Sequence, residues 1–211
     1  MTTRVFIVDD HELMREGLKT VLESSRRIMV SGEAGSFKEF SSTFRKGSAD
    51  VIVLDISLPD RNGLEVLKHV RDNFPSIAVL ILSMHPEERF ALRALKGGAL
   101  GYLNKQTAGK ELVKAIEKVR RGEIYVSAEV AGALVRELEG NQKKKPHENL
   151  NDREFEVFQR IASGKTAREI GKDIDLSIHT VTTYRSRILR KMNAKTTADL
   201  VRYAMEHHLI D

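Results

Sequence analysis

The sequence predicts an α/β domain on a five-stranded, parallel, doubly wound sheet, followed by a small all-α domain. Three observations lead there. Strand-like and helix-like patterns alternate through the first 121 residues. Three of the five strand segments are continuously apolar rather than alternating, as in strands covered on both faces. From residue 148 onward only helical patterns remain.

The strand segments are Val5 to Val8, Ile28 to Val30, Val51 to Leu54, Ile77 to Leu82 and Gly101 to Leu103. Helical patterns lie at roughly 12–24, 37–45, 63–73, 87–96 and 108–120. Ser36 and Glu39 have capping-box spacing before the second of these. Pro86 suits the first turn of the fourth, and Thr107 is placed to cap the fifth. Five such βα units make the first domain, 1–121. Residues 122–147 read as a linker with a helix at about 127–139, capped by Ser127. The linker ends in the polar run Gly140 to His147, which contains Pro146. In 148–211, Asn151 with Glu154 and Thr166 with Glu169 announce two helices. Ser177 caps a third, and Thr196 or Thr197 begins a fourth.

The bulk numbers exclude several classes. There are no cysteines, so disulfides, thiolate metal sites and cysteine nucleophiles are ruled out. No apolar run approaches the roughly 20 residues of a membrane span. A strand pattern by Val5 leaves no room for a signal peptide, so a cytoplasmic location is expected. The net charge of +5 is spread unevenly: 20 Lys/Arg against 16 Asp/Glu in 1–121, and 11 against 10 in 148–211. Local density says more. Between Leu176 and Ala198 stand Arg185, Arg187, Arg190, Lys191 and Lys195, with no acid, a patch that attracts polyanions.

Placed on the predicted sheet, Asp9 and Asp10 follow the first strand, Asp55 the third, Ser83 ends the fourth and Lys105 lies past the fifth. All emerge at the carboxyl edge, where open α/β sheets bind ligands. Three gathered carboxylates need a cation, and an all-oxygen set suits Mg²⁺. A carboxylate can act as nucleophile and form an acyl phosphate. In such a set Asp55 is the nucleophile, Asp10 the main metal ligand and Asp9 a supporting one. Lys105 pairs with a phosphoryl oxygen and Ser83 hydrogen-bonds to it.

Asp9-Asp10-His11, Asp55-x-x-x-Pro59-x-x-x-Gly63, Ser83-Met84 and Lys105 resemble the receiver domain of bacterial two-component response regulators, a flavodoxin-like fold. The resemblance implies a backbone-carbonyl metal ligand at Ser57 and a switch aromatic at Tyr102, which fills space that Ser83 vacates. Gln106 departs from it, standing where many receivers have proline. A cis bond there would cost ~3 kcal/mol, so a trans peptide or a strained site is expected. Ser57 and His85 are candidate tuners of acyl-phosphate lifetime. His11 reads as a helix-start residue.

Asn151-Asp152-Arg153-Glu154, the run Ile161 to Ile170 and Ser177-Ile178-His179-Thr180-Val181 resemble the LuxR/NarL helix-turn-helix. In its recognition helix Val181, Tyr184, Ile188, Leu189 and Met192 share an inward face. The resemblance makes Thr182, Thr183 and Ser186 base readers, with Arg185 and Arg187 able to reach bases or phosphates. Thr methyl groups can touch thymine, and hydroxyls can bond either base type. Lys165, Thr166, Thr180, Arg190 and Lys191 are phosphate candidates. Family members dimerise through the last helix, here carrying Leu200, Val201, Tyr203, Ala204 and Met205.

The expected function is a response regulator in which a sensor histidine kinase phosphorylates Asp55, controlling promoter DNA binding as a homodimer. Any catalysis is self-phosphorylation and self-dephosphorylation. One alternative is a DNA-binding regulator independent of phosphorylation. Another is an aspartyl-phosphate phosphatase, disfavoured because Ser57 stands where such enzymes place an acid–base aspartate.

Overall fold

In a computed structural model, which describes residues 2–84, 87–138, 145–207 and 209–210, the five strand segments form one sheet. Its strands are β1 (Thr3–Val8), β2 (Ile28–Ala34), β3 (Val51–Leu54), β4 (Ala78–Ser83) and β5 (Gly101–Asn104). All neighbours pair in parallel, in the order β2-β1-β3-β4-β5. The helices between them are α1 (Glu12–Glu23), α2 (Phe37–Thr43), α3 (Gly63–Asn73), α4 (Glu87–Lys96) and α5 (Ala108–Arg120). The order reverses between β1 and β3. Their carboxyl ends therefore flank the crevice that such sheets offer to ligands. Register brings those ends level: Val8 pairs with Leu54, Leu54 with Ile81 and Ser83 with Asn104.

Both faces of the sheet are covered, which explains the continuously apolar strands. Val5, Ile7, Val53 and Leu80 pack with Leu18 and Leu22 of α1 and Leu112, Ile116 and Val119 of α5. On the other face Phe6 meets Phe40 and Phe44 edge-on. β2 runs four residues beyond its predicted end at Val30, to Ala34. Its last part, Ser31-Gly32-Glu33, is polar because β2 is an edge strand, covered on only one side by a neighbour.

The helix ends differ from expectation in two places. Ser36 accepts from Glu39 N–H, but Glu39 Oε2 accepts from Gly35 N–H at 2.6 Å instead of closing the box on Ser36. Thr107 makes no side-chain cap on α5. Its backbone is αR rather than extended, and its hydroxyl donates to Asn104 O at 3.1 Å. Two caps had no obvious sequence signal. Asn62 Oδ1 accepts from Leu64 N–H at the start of α3. Asp60 accepts from Phe37 and Lys38 N–H, capping α2 from the loop after β3.

The chain divides into two compact units, residues 1–139 and 140–211. The first holds a sixth helix, α6 (Ala128–Leu138), which packs against α4. Ahead of it Tyr125 sits beside Gly101: Tyr102 N–H donates to Tyr125 O, and Tyr125 N–H to Leu100 O, both at 2.9 Å. The early part of the segment read as linker is thus packed on the sheet's β5 edge. Apolar spacing marks a helix there but does not say what its apolar side meets. Ser127 Oγ accepts from Val130 N–H, as the cap assignment requires.

One ion pair ties β1 to the turn before β3. Asp50 accepts from Arg4 N–H and from the Arg4 guanidinium, each at 2.8 Å. The guanidinium holds the Asp50 carboxyl below the usual carboxylate range. A depressed folded pKa means stability that is present above the unfolded value and lost as pH falls through the folded one. Asp50→Asn should therefore lower the melting temperature at neutral pH by roughly 2–4 °C. The gap from wild type should close in acid titration of thermal melts.

The second unit contains a 3₁₀ turn (Pro146–Asn149), then α7 (Asp152–Ala162), α8 (Ala167–Asp173), α9 (Ile178–Lys191) and α10 (Thr197–Glu206). Reciprocal capping boxes start α7, α8 and α10, and Ser177 caps α9. α9 packs on α7 and α8, and α10 on α7. Phe155, Phe158, Ile170, Val181, Ile188, Leu200 and Ala204 form the core. Tyr184 and Leu189, expected inside, are half-buried.

Candidate functional site

The sheet edge gathers a buried charge cluster. Asp9 leaves β1 with its N–H bonded to Ala34 O, and Asp55 leaves β3 with its N–H bonded to Val8 O. Each backbone is therefore fixed by a neighbouring strand. Asp9, Asp55 and Lys105 are all buried. Lys105 Nζ lies 2.8 Å from Asp55 Oδ2 and 2.6 Å from Asp9 Oδ2. The Asp55 contact is a hydrogen bond. The Asp9 contact lacks hydrogen-bonding alignment, which leaves Asp9 Oδ2 buried without a directional donor. Asp9 Oδ1 accepts from His11 N–H, and Asp55 Oδ1 from Ser57 N–H at 3.2 Å.

Burial pushes the Asp55 carboxyl up, Lys105 pulls it back, and Asp9 adds to the rise. Burial also works against the Lys105 ammonium, but Asp55 and Asp9 outweigh it and hold its pKa above the ordinary value. Asp10 is more exposed, with Oδ1 2.7 Å from His11 Nδ1. Ligand atoms of Asp9, Asp10, His11 and Asp55 all lie within 4.8 Å of one another. The carboxylates of Asp9, Asp10 and Asp55, gathered this closely, fit a hard divalent cation.

The other predicted residues fall around this centre. Ser83 is fully buried at the end of β4, and its carbonyl accepts from Lys105 N–H. Tyr102 is fully buried on β5. Ser57 is exposed, in a backbone bridge with Asn62. The Lys105–Gln106 peptide is trans, with Gln106 N–H bonded to Asn104 Oδ1. His85 and Pro86 lie outside the described residues. His11 starts α1 as expected but makes no side-chain cap, and its ring joins the acidic group. Arg15 also escaped sequence reading: its guanidinium donates to Asp9 O at 2.7 Å. Its only sequence signal is a basic residue one turn into the helix after Asp-Asp.

The DNA-binding candidates lie in the other unit, mostly on α9. The hydroxyls of Thr182, Thr183 and Ser186 donate to the carbonyls of Ile178, His179 and Thr182 at 2.9, 3.0 and 3.1 Å. Arg185 donates to Thr197 Oγ1, while Arg187 and Arg190 are exposed. Lys191 pairs with buried Glu154 at 2.6 Å, and Lys165 with Asp173. Thr166 is committed to its capping box, and the Thr180 hydroxyl meets Ser177 Oγ at 2.8 Å. Where α8 turns toward α9, Leu176 N–H bonds to Gly171 O. A Cβ on Gly171 would fall on Leu176 O, closer than real Cβ atoms approach backbone. Gly171→Ala should cost about 3 kcal/mol by overpacking and sharply weaken DNA binding. Thermal melts and gel shifts check both.

A parallel sheet with an acidic, lysine-closed edge and a capped helix-turn-helix together define a two-domain signalling regulator. Comparison with known proteins gives the family. Residues 5–117 match the response regulator receiver domain, and 148–204 the bacterial regulatory proteins of the luxR family. Response regulator UvrY of Escherichia coli is 32% identical over 206 residues, covering 97% of this chain and 94% of the relative. Response regulator protein VraR of Staphylococcus aureus is 34% identical over 212 residues, covering both chains in full. Among solved structures, RcsB of Salmonella enterica serovar Typhimurium, bound to promoter P1flhDC with the phosphomimetic BeF3-, has a TM-score of 0.68 at 26% identity. That match covers 96% of this chain and 98% of RcsB. The chain belongs to the two-component response regulators with a LuxR-type DNA-binding domain. Among the described residues no helix is long and apolar enough to cross a membrane.

Proposed function

We propose that this chain acts in the cytoplasm, that a sensor histidine kinase phosphorylates Asp55 and that this modification controls promoter binding by a homodimer. On this reading 1–121 is the phosphoacceptor domain, 122–147 the linker segment and 148–211 the DNA-binding domain. The observation that carries it is the Lys105 ammonium held between Asp55 and Asp9. An Asp55 oxygen bonds to phosphorus as the phosphohistidine P–N bond breaks, and the imidazole leaves with the electron pair. Lys105 and Ser83 take the phosphoryl oxygens by charge and hydrogen bond. Asp9, Asp10, Asp55 and the Ser57 carbonyl would hold Mg²⁺, which when bound would supply charge neutralisation for the transferred group. Ser83, drawn toward the phosphoryl group, gives Tyr102 its second packing state. Catalysis stops at self-phosphorylation and self-dephosphorylation.

On DNA, α9 enters the major groove. Thr182, Thr183 and Ser186 face bases, Arg185 and Arg187 reach bases or phosphates, and Lys165, Thr166, Thr180, Arg190 and Lys191 face phosphates. That RcsB is bound to a promoter in the presence of a phosphomimetic supports linking phosphorylation to DNA binding here.

The test is incubation with acetyl phosphate and Mg²⁺. Wild type should gain a hydroxylamine-labile adduct and bind DNA more tightly; Asp55→Asn should do neither. An adduct on Asp55→Asn removes Asp55 as acceptor. Unchanged DNA affinity in the modified wild type favours phosphorylation-independent binding.

A further inference from the structure

We infer that the recognition helix reads the C5-methyl groups of thymine, and that Ile178 is a specificity residue in that reading. The inference rests on the proposed DNA-binding role of α9 and specifies what its surface recognises. Two independent observations carry it. First, the three hydroxyls assigned to base reading are already spent as donors. Thr182, Thr183 and Ser186 each donate to the carbonyl four residues back. A hydroxyl held this way retains acceptor capacity but has no proton for guanine O6 or N7. The two threonines then differ from serine by a methyl group, which is what they add to the surface.

Second, Ile178 is 54% exposed in the first turn of α9. It stands four residues before Thr182 and eight before Ser186, so the three positions form one stripe along the helix. The first turn of a recognition helix is the part that reaches base edges. An isoleucine there offers nothing to a donor or acceptor. The one apolar group on the major-groove edge of DNA is the thymine methyl. Isoleucine and the threonine methyls make a surface complementary to it. His179 and Thr180, the polar side chains of the same turn, fall off this stripe by helical spacing. Arg185, which can donate to guanine, is held by Thr197.

The experiment uses the full chain, phosphorylated with acetyl phosphate, and a site enriched from a random duplex pool. Each thymine of that site is then replaced singly by deoxyuridine, which removes only the methyl group. Wild type should lose about fourfold in affinity at two or more thymines, the factor for one buried methyl-sized group. Ile178→Ser should bind the thymine and deoxyuridine duplexes alike at one of those positions. Ile178→Val should keep most of the wild-type preference. Equal binding of every deoxyuridine duplex by wild type overturns the inference, and so does an unchanged preference in a folded Ile178→Ser. A pool that yields no enriched site overturns the DNA-binding reading itself, and the inference with it.

Discussion

Gly63→Ala should cut the rate of Asp55 phosphorylation by roughly 100-fold, the penalty of about 1 Å of misplacement at a reacting group. The reason is local. The loop after β3 carries Asp55 and folds back so that Gly63 N–H bonds to Ile56 O at 2.8 Å. A Cβ at Gly63 would meet Asp55 O and lie 2.5 Å from Ile56 Cα. Both obstacles are backbone, so no side chain can rotate away. Either α3 lifts from the sheet or Asp55 moves from Lys105. Overpacking of this kind costs about 3 kcal/mol. Adduct formation with acetyl phosphate and a thermal melt measure the two effects separately. Wild-type values in both would show that the return of this loop is not what positions Asp55.

Lys105→Met should destabilise the receiver by about 3–5 kcal/mol at neutral pH, as when one partner of a buried ion pair is removed. Asp9 and Asp55 would then face each other with the ammonium gone. Burial already raises the Asp55 carboxyl, and losing Lys105 removes the group that pulls it back. The sign of the pH response follows. A carboxyl with a raised folded pKa binds more protons in the folded state than in the unfolded one. The variant should therefore gain stability relative to wild type as pH falls from the raised value toward the unfolded one. Adding Mg²⁺ should restore part of the loss by mass action, about 2.7 kcal/mol at a concentration of 100 Kd. Melts across pH, with and without Mg²⁺, give both readings. A variant that melts like wild type at neutral pH would show that Lys105 is dispensable to the charge balance. Adduct formation should slow even where Mg²⁺ restores the fold, because the phosphoryl oxygen loses the Lys105 ammonium.

Much of this is legible in the sequence itself. Continuous apolar runs located the strands, and a residue just past such a run must emerge at the sheet's carboxyl edge. That alone brings Asp9, Asp55 and Lys105 together. Two of the helix starts in the second unit follow from local capping pairs, which act over three residues and need no tertiary context. What escaped depends on contacts distant in sequence or on loop geometry. Asp60 caps a helix more than 20 residues earlier. Thr107 has a capping side chain but not a capping backbone, because Asn104 closes that turn first. His11 folds back on Asp10 in a loop, where neither helical nor strand periodicity applies. The packing of α6 on α4 left no mark that separates it from a free linker helix.

The pairing of Lys191 with Glu154 also bears on ionic strength. A lysine releases a counterion from DNA only if it neutralises a phosphate. To do so, Lys191 must leave a carboxylate that is buried and would remain behind without its cation. Lys165 faces the same competition from Asp173, though in a wetter setting. A lysine that keeps its carboxylate lowers the steepness of log affinity against log salt by about 0.9. The C-terminal unit should thus bind DNA with a shallower salt dependence than its count of basic residues suggests. The exposed Arg187 and Arg190 would then set most of that slope.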